Sequence, residues 1–416
     1  MSIDRETIFP QDSLFMVDGL SGLMKLTPYS VLDSQLIVLK AGWNIMSTYL
    51  LPVQADIQTV FSDIQPYVLI VKDGSGGVCW PAWGVNTVGD MVLGDGYKVK
   101  MSTTKTLAVY GYSIIPEFTQ VDISSGWSIL GYLRKSPAAL TVVMSPIVSE
   151  IIIMKDENGY VYWPSLQINT IGNMIPGEGY QIKMSTSLGF FYPENGQLSL
   201  VNKNESDYPA KHYPSFNSTG SNMTVGIPLD SWTIIPGQGD EIAAFDEEGK
   251  IVGSTVFNGS ATSLTIWGDD DITDSKEGIG INTRFILKLW NYSTGKEEII
   301  DVKSWLTGND LFSDDGISII DKLDIYNWEN AVLILYQNVP NPFDEVTYVR
   351  FILPFDSRTE IKIFDVAGRL IETPVSGLFS AGEHIIKLDM EKYAPGVYSY
   401  RLDCKKFSFV RSMVIY

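Results

Sequence analysis

Gly94-Asp95-Gly96-Tyr97-Lys98-Val99-Lys100-Met101-Ser102 returns as Gly177-Glu178-Gly179-Tyr180-Gln181-Ile182-Lys183-Met184-Ser185. In both places a glycine-rich turn leads into a segment that alternates polar and apolar residues, the period-two signature of a half-buried strand. The match extends outward. Gly42-Trp43-Asn44-Ile45 corresponds to Gly126-Trp127-Ser128-Ile129, Val71-Lys72-Asp73 to Met154-Lys155-Asp156, and Trp80-Pro81 to Trp163-Pro164. Val85-Asn86-Thr87-Val88-Gly89-Asp90-Met91 corresponds to Ile168-Asn169-Thr170-Ile171-Gly172-Asn173-Met174. The offset is 83 residues from Trp80 to Trp163 and 84 from Gly42 to Gly126, so a one-residue indel lies between Trp43 and Lys72. A period this long, present twice, is a tandem domain duplication and not a solenoid. The copies are placed at 37–118 and 119–200. Each reads as strand, short helix or loop, strand, turn, strand, and a glycine-rich turn into a final strand. The best helical stretch is Val53 to Ile64, where Ile57, Val60, Phe61 and Ile64 share a face over about three turns.

The rest of the chain agrees with this reading. At 45% hydrophobic, 12% aromatic and 19% charged residues, the composition is that of a folded protein. Its 36 glycines and 20 prolines, set among Val, Ile, Tyr and Trp, favour short strands and turns. The expected class is mainly β: tandem β-rich repeats followed by two β-sandwich (Ig-like) domains. Residues 1–36 form an N-terminal segment whose apolar stretches, Leu14 to Val17 and Leu20 to Met24, suit the last strands of an upstream module. A polar linker is expected at 201–215. A β-sandwich module is expected at 216–332, including a hairpin from Glu241 to Ser254 around the turn Glu247-Glu248-Gly249-Lys250. A last small domain occupies 333–416.

Charge and rare residues exclude several function classes. Lys plus Arg is 30 and Asp plus Glu is 49, a net charge of −19 that repels nucleic acid and anionic lipid. The two cysteines, Cys79 and Cys404, lie in different modules, so the chain is not a disulfide scaffold. With only His212 and His384, histidine-based zinc sites are ruled out, and serine or cysteine nucleophiles lack their usual base. There is no Gly-x-Ser-x-Gly elbow and no His-Glu-x-x-His. We therefore expect no enzyme. No apolar run reaches the roughly 18 residues of a membrane span. The opening Met1-Ser2-Ile3-Asp4-Arg5-Glu6 is polar and unlike a signal peptide.

Two candidate ligand sites stand out. Asp269, Asp270, Asp271 and Asp274, with Glu277 close behind, form an acidic loop with the oxygen chemistry that calcium needs, although not at EF-hand spacing. Asp240, Glu241 and Asp246 from the neighbouring hairpin would be its natural helpers, and Asp310, Asp314 and Asp315 form a second acidic patch. Trp80 and Trp163, the duplicated Trp-Pro tryptophans, are candidates for stacking on sugar rings together with Trp83, Tyr97 and Tyr180. The competing reading makes them, with Trp43 and Trp127, anchors of small cores.

The C-terminal stretch carries its own pattern: Asn338-Val339-Pro340-Asn341-Pro342-Phe343, Leu353-Pro354, Ile363-Phe364-Asp365 with Gly368-Arg369, Ala381-Gly382, and Gly396-Val397-Tyr398-Ser399-Tyr400. The prolines are expected to keep the entry extended, and Asp365 to Arg369 to form a hairpin turn. In this order the residues resemble the type A sorting domain of the type IX secretion system of Bacteroidetes-type bacteria. The resemblance implies a β-sandwich recognised by the secretion machinery through Asn338, Pro340, Asn341, Pro342, Phe343, Gly368, Gly382, Gly396 and Tyr398. It also implies an outer-membrane shuttle or sortase as partner, and a protein secreted or attached to the outer cell surface. The final Val414-Ile415-Tyr416 lacks the basic residue often found there, although Lys405, Lys406 and Arg411 are near. An export domain without a signal peptide leads us to expect a fragment or processed piece of a longer precursor. The resulting expectation is a non-catalytic structural or adhesion segment with surface glycans or neighbouring subunits as partners. The alternatives are the accessory C-terminal region of a larger secreted hydrolase and a carbohydrate-binding module. No cofactor beyond calcium is expected.

Overall fold

The computed structural model describes residues 13–16, 27–194, 200, 208–326, 333–380, 382–404 and 407–416. The chain divides into two compact units, Met1–Asp324 and Ile325–Tyr416. The division falls ahead of the expected boundary at 332. Within the first unit the strand Thr27–Leu39 runs across the boundary placed at 36 and pairs with Lys105–Ser113, so part of the N-terminal segment is an edge of the first repeat. The stretch Leu20 to Met24 lies outside the described residues, as do 201–207 of the expected linker. Its remainder is no linker. The backbone amides of Lys211, His212 and Tyr213 all donate to the buried carboxylate of Glu241, which holds this segment against the module that follows.

Each repeat is built on a five-stranded antiparallel sheet. In the first, the order is Gly42–Met46, Tyr97–Met101, Val68–Lys72, Val78–Trp80, Val85–Asn86. In the second it is Gly126–Gly131, Gly179–Met184, Ile151–Lys155, Val161–Trp163, Ile168–Asn169. Alternation turns Tyr97, Val99 and Met101, and likewise Tyr180, Ile182 and Met184, into the two cores. The long helix is replaced in both copies by one α turn and a 3-10 segment: Ile57–Val60 then Ser62–Tyr67, and Leu140–Val143 then Ser145–Glu150. Asp56 caps the first turn by accepting the Thr59 amide at 3.0 Å. Pro66, which has no N–H, cannot extend the α ladder. Ile57, Phe61 and Ile64 still reach the core, so the spacing was read correctly and the helix length was not.

The repeats pack about a pseudo-two-fold axis. The Ser47 amide donates to the Gly177 carbonyl at 2.9 Å, and its counterpart, the Gly131 amide, donates to the Gly94 carbonyl at 2.7 Å. Met46 bridges Glu178 as Leu130 bridges Asp95. This is the isologous pattern of a symmetric dimer, here within one chain. It also accounts for the repeated Gly-x-Gly. Gly94 and Gly177 take φ of +95° and +90°. Gly96 and Gly179 are close-approach positions, where a Cβ would lie 2.6 Å from Ile129 Cγ2 and 2.9 Å from the Met46 carbonyl oxygen.

The third module is one seven-stranded sheet in the order Ile251–Val256, Glu241–Phe245, Ile286–Trp290, Glu297–Thr307, Ile317–Tyr326, Asn222–Ile227, Thr262–Trp267. It curls until its end strands meet; a Cβ on Gly253 would lie 2.1 Å from the Thr265 carbonyl oxygen. The expected Glu241 hairpin is present. One pairing departs from an all-antiparallel sandwich: Asn222–Ile227 and Ile317–Tyr326, the module's first and last strands, run parallel, with Thr224, Val225 and Gly226 opposite Ile317, Ser318 and Ile319.

The second unit is a small sandwich of a three-stranded sheet (Ile334–Leu335, Val346–Leu353, Gly382–Asp389) and a four-stranded one (Leu370–Phe379, Ser357–Phe364, Gly396–Cys404, Phe407–Ile415). Four turns in the two units share one design. Asp73, Asp156, Asp246 and Asp365 each accept through Oδ1 from the amides two and four residues on. The glycine three residues on, Gly76, Gly159, Gly249 or Gly368, takes a positive φ.

Candidate functional site

The sheet face opposite each repeat's core carries the duplicated tryptophans and lysines, and this face meets the third module. In the first repeat, Trp43 Nε1 and Lys100 Nζ donate to Asp270 Oδ2 at 2.8 and 2.7 Å. Lys72 and Lys100 lie over the Trp43 ring at 5.1 and 5.8 Å, and Lys98 donates to the Gly220 carbonyl at 3.2 Å. In the second repeat Lys155, the counterpart of Lys72, is fully buried. It donates to Asn222 Oδ1 at 2.9 Å, lies 3.8 Å from Asp315 and sits 4.7 Å from the Trp127 ring. Burial lowers its pKa to about 8, against the opposing pull of Asp315. Gln181, in the place of Lys98, donates to Asp315 Oδ1 at 2.9 Å.

These contacts correct the calcium expectation. Asp270 is buried in an ion pair. Asp269 accepts from the amides of Glu277 and Gly278, while Asp271 and Asp274 are exposed. The helpers are committed as well. Asp240 accepts the Tyr292 and Gly237 amides, Glu241 holds 211–213, and Asp246 closes its own turn and pairs with Lys276. Asp310 pairs with Arg284, and Asp314 accepts from Ser221. Among the described residues no group of three or more His, Cys, Asp or Glu side chains gathers as a metal site.

The two candidate sugar platforms separate. Trp163 is 1% exposed and packs with Ile153, Val161, Ile168 and Leu166 against Ala261, Ile317 and Ile319 of the third module. Gly226 faces it, leaving no room for a Cβ, which would approach Leu166 Cδ1 to 2.6 Å. Trp163 is therefore an interface anchor. Trp80 is half-buried, and its partner Trp83, 5.3 Å away and tilted by 31°, is 75% exposed. Trp83, a sugar-stacking candidate in the sequence alongside Trp80, has Leu166 as its counterpart, so the pair is not duplicated in the second repeat. The histidines serve in packing and local bonds: His212 stacks on Trp290 at 4.9 Å, and His384 Nε2 bonds the Ser380 carbonyl at 2.7 Å.

In the C-terminal unit the motif residues act on one another. The Asn338 amide donates to Tyr400 Oη at 2.8 Å, and its Nδ2 donates to the Pro340 carbonyl and Thr347 Oγ1, both at 3.0 Å. Asn341 Oδ1 accepts the Val414 amide at 2.9 Å, and Phe343 is buried and bonded through its backbone to Val414 and Tyr416. Val339–Pro340 and Asn341–Pro342 are both cis. The motif thus fastens the entry segment to the last strand. Residues 338–416 match the secretion system C-terminal sorting domain. Within the sorting domain, Gly368 sits in the Asp365 turn, Gly382 takes φ of +118°, Gly396 opens the strand to Cys404, and Tyr398 Oη donates to the Ala394 carbonyl at 2.9 Å. Ala381, Lys405 and Lys406 lie outside the described residues.

The sorting domain makes this chain a protein exported by the type IX secretion system and secreted or attached to the outer cell surface. Among the described residues no helix is long and apolar enough to cross a membrane. No curated protein matches the chain. Solved structures align over most of it at low similarity. They include the BSP domain of a biofilm-associated protein, at 12% identity, 94% of this chain, 63% of that one and a TM-score of 0.15. A tetra-tandem repeat in the extending region of a large adhesion protein aligns at 9% identity, 92% and 100%, and 0.18. The Bacillus anthracis TIE protein aligns at 12% identity, 98% and 73%, and 0.12. With TM-scores this low, none of the three carries a functional statement over to this chain.

Proposed function

We propose that the chain is a non-catalytic segment displayed outside the cell, acting as a stalk, adhesin or assembly component. The observation that supports this reading is where its reactive side chains go. Lys155, Asp270, Asp240, Glu241 and Asp246 are all buried, and each is bonded to backbone or to a neighbouring module. Polar groups used in this way hold modules in register, which suits a protein that transmits or presents rather than transforms. A deletion of 37–326 that keeps the sorting domain tests the reading in the producing cell. Attachment or assembly should fall while secreted hydrolase activity holds. Reduced hydrolysis with unchanged attachment would favour the accessory part of a hydrolase instead. The Trp80–Trp83 pair supports a second reading, carbohydrate binding. Glycan-array binding lost in Trp83→Ala would favour it; Trp163 is not available for that role.

A further inference from the structure

Lys155 closes the strand Ile151–Lys155 of the second repeat, and its side chain is fully enclosed. A lysine buried this deeply normally has a carboxylate in direct contact. Here the bonded acceptor is a carboxamide: Nζ donates to Asn222 Oδ1 at 2.9 Å, while the Asp315 carboxylate stands 3.8 Å from Nζ. Asn222 is itself buried and opens the first strand of the third module. Asp315 is fixed beside it, because the Asp315 amide donates to the Asn222 carbonyl at 2.9 Å. Gln181 Nε2 donates to Asp315 Oδ1 at 2.9 Å, and the Trp127 ring lies 4.7 Å from Nζ.

An amine nucleophile, an acyl carbon and a carboxylate able to move protons are thus gathered in one buried place. Burial lowers the Lys155 amine to about 8, with Lys98 and Lys183 adding to the effect and Asp315 and Asp314 opposing it. The neutral, nucleophilic form is therefore populated close to neutral pH. A rotation of the Asn222 carboxamide brings Cγ, one C=O bond beyond Oδ1, into line with Nζ.

We propose that Lys155 and Asn222 join through an intramolecular isopeptide bond, formed by the folded chain itself with Asp315 as proton carrier. Lys155 gives a proton to Asp315, and the freed Nζ lone pair attacks Asn222 Cγ. The N–C bond forms and the carbonyl π pair moves to Oδ1. That pair then returns, the Cγ–Nδ2 bond breaks, and the nitrogen leaves with the two protons surrendered by Nζ, one of them carried by Asp315. The products are a secondary amide and one ammonium ion, and Asp315 ends as the carboxylate it began as. The bond would tie the second repeat covalently to the strand on which the third module begins. The inference does not rest on the stalk or adhesin reading.

Mass spectrometry of the purified full chain, shown to melt cooperatively and incubated at about pH 8, tests the proposal. The intact mass should fall below the sequence value by about 17 Da, the ammonia released. A tryptic digest should contain a branched peptide joining Lys155 to Asn222, with no cleavage after Lys155. Asp315→Asn, isosteric and still an acceptor for Gln181, should slow formation by about a hundredfold or more. Lys155→Gln and Asn222→Ala should keep the full mass, and Asp271→Asn, an exposed acid elsewhere, should link as the parent does. The alkaline titration of Lys155 belongs to the unlinked chain and should vanish once the bond forms. The parent chain decides the matter even where a variant fails to fold. A full sequence mass after incubation overturns the proposal. So does a loss of ammonia without the branched peptide, as a succinimide at another asparagine would give. Linking at an unchanged rate in Asp315→Asn overturns the part given to Asp315.

Discussion

The two repeats share strand order, core pattern and turn chemistry, yet the same sheet face has different surroundings in each. In the second repeat, Trp163, Leu166 and Ile168 are covered by the third module; in the first, Trp80, Trp83 and Val85 remain half-buried or open. Among the described residues, the Trp43 end of the first face is engaged, through Asp270 and Gly220. Duplication copied the fold without copying the interface. Residues that look equivalent in sequence are anchors in one copy and surface in the other.

The largest effect should separate the paired tryptophans. Trp163→Ala removes a fully buried indole and should cost the first unit about 3–5 kcal/mol. Trp80→Ala should cost less than about 1.5 kcal/mol. Denaturant unfolding of the full chain, followed on the first unit's transition, makes the comparison, and equal losses would dissolve it. Asp270→Ala comes next. It strands a buried lysine and should cost about 3 kcal/mol, read from the same transition; a loss below about 1 kcal/mol would show that the pair does not hold the first repeat to the third module.

A third contrast depends on pH. Burial raises the carboxyl of Asp156 from 3.8 to about 7, and that of Asp95 to about 6. Both hold protons more tightly folded than unfolded, so their contribution to stability falls as pH rises from about 4 to about 7. Asp156→Asn keeps the turn's acceptor and should flatten that fall, as read from melting temperatures across the range. Lys155, lowered to about 8, gives the opposite slope above neutrality: its penalty is relieved as pH rises from about 8 toward 10.5. The smallest effect expected is Trp83→Ala, within about 0.5 kcal/mol, because its exposed ring has little to lose.

What the sequence disclosed, and what it did not, follows from distance along the chain. Local patterns were readable: alternation gave the strands, the offset gave the duplication, and Asp-x-x-Gly spells a turn that recurs four times. The ordered motifs from Asn338 to Tyr400 gave the export domain. Partners far apart were not readable. Asp270 meets Trp43 and Lys100 across separations of 227 and 170 residues, so a run of aspartates resembled a cation loop until the fold supplied their partners. Trp163 looked like Trp80 because nothing near it reveals which face a later module will cover. The helix was overextended because apolar spacing is satisfied equally by a helical turn and a 3-10 segment.

The parallel pair that joins the first and last strands of the third module has a mechanical consequence. Tension on a surface-displayed chain enters that module at Asn222–Ile227 and leaves at Ile317–Tyr326, which are neighbours pointing the same way. Pulling their outer ends apart slides one strand along the other, so the bonds between them are strained together and not opened one after another. A module wired in this way resists stretching in shear.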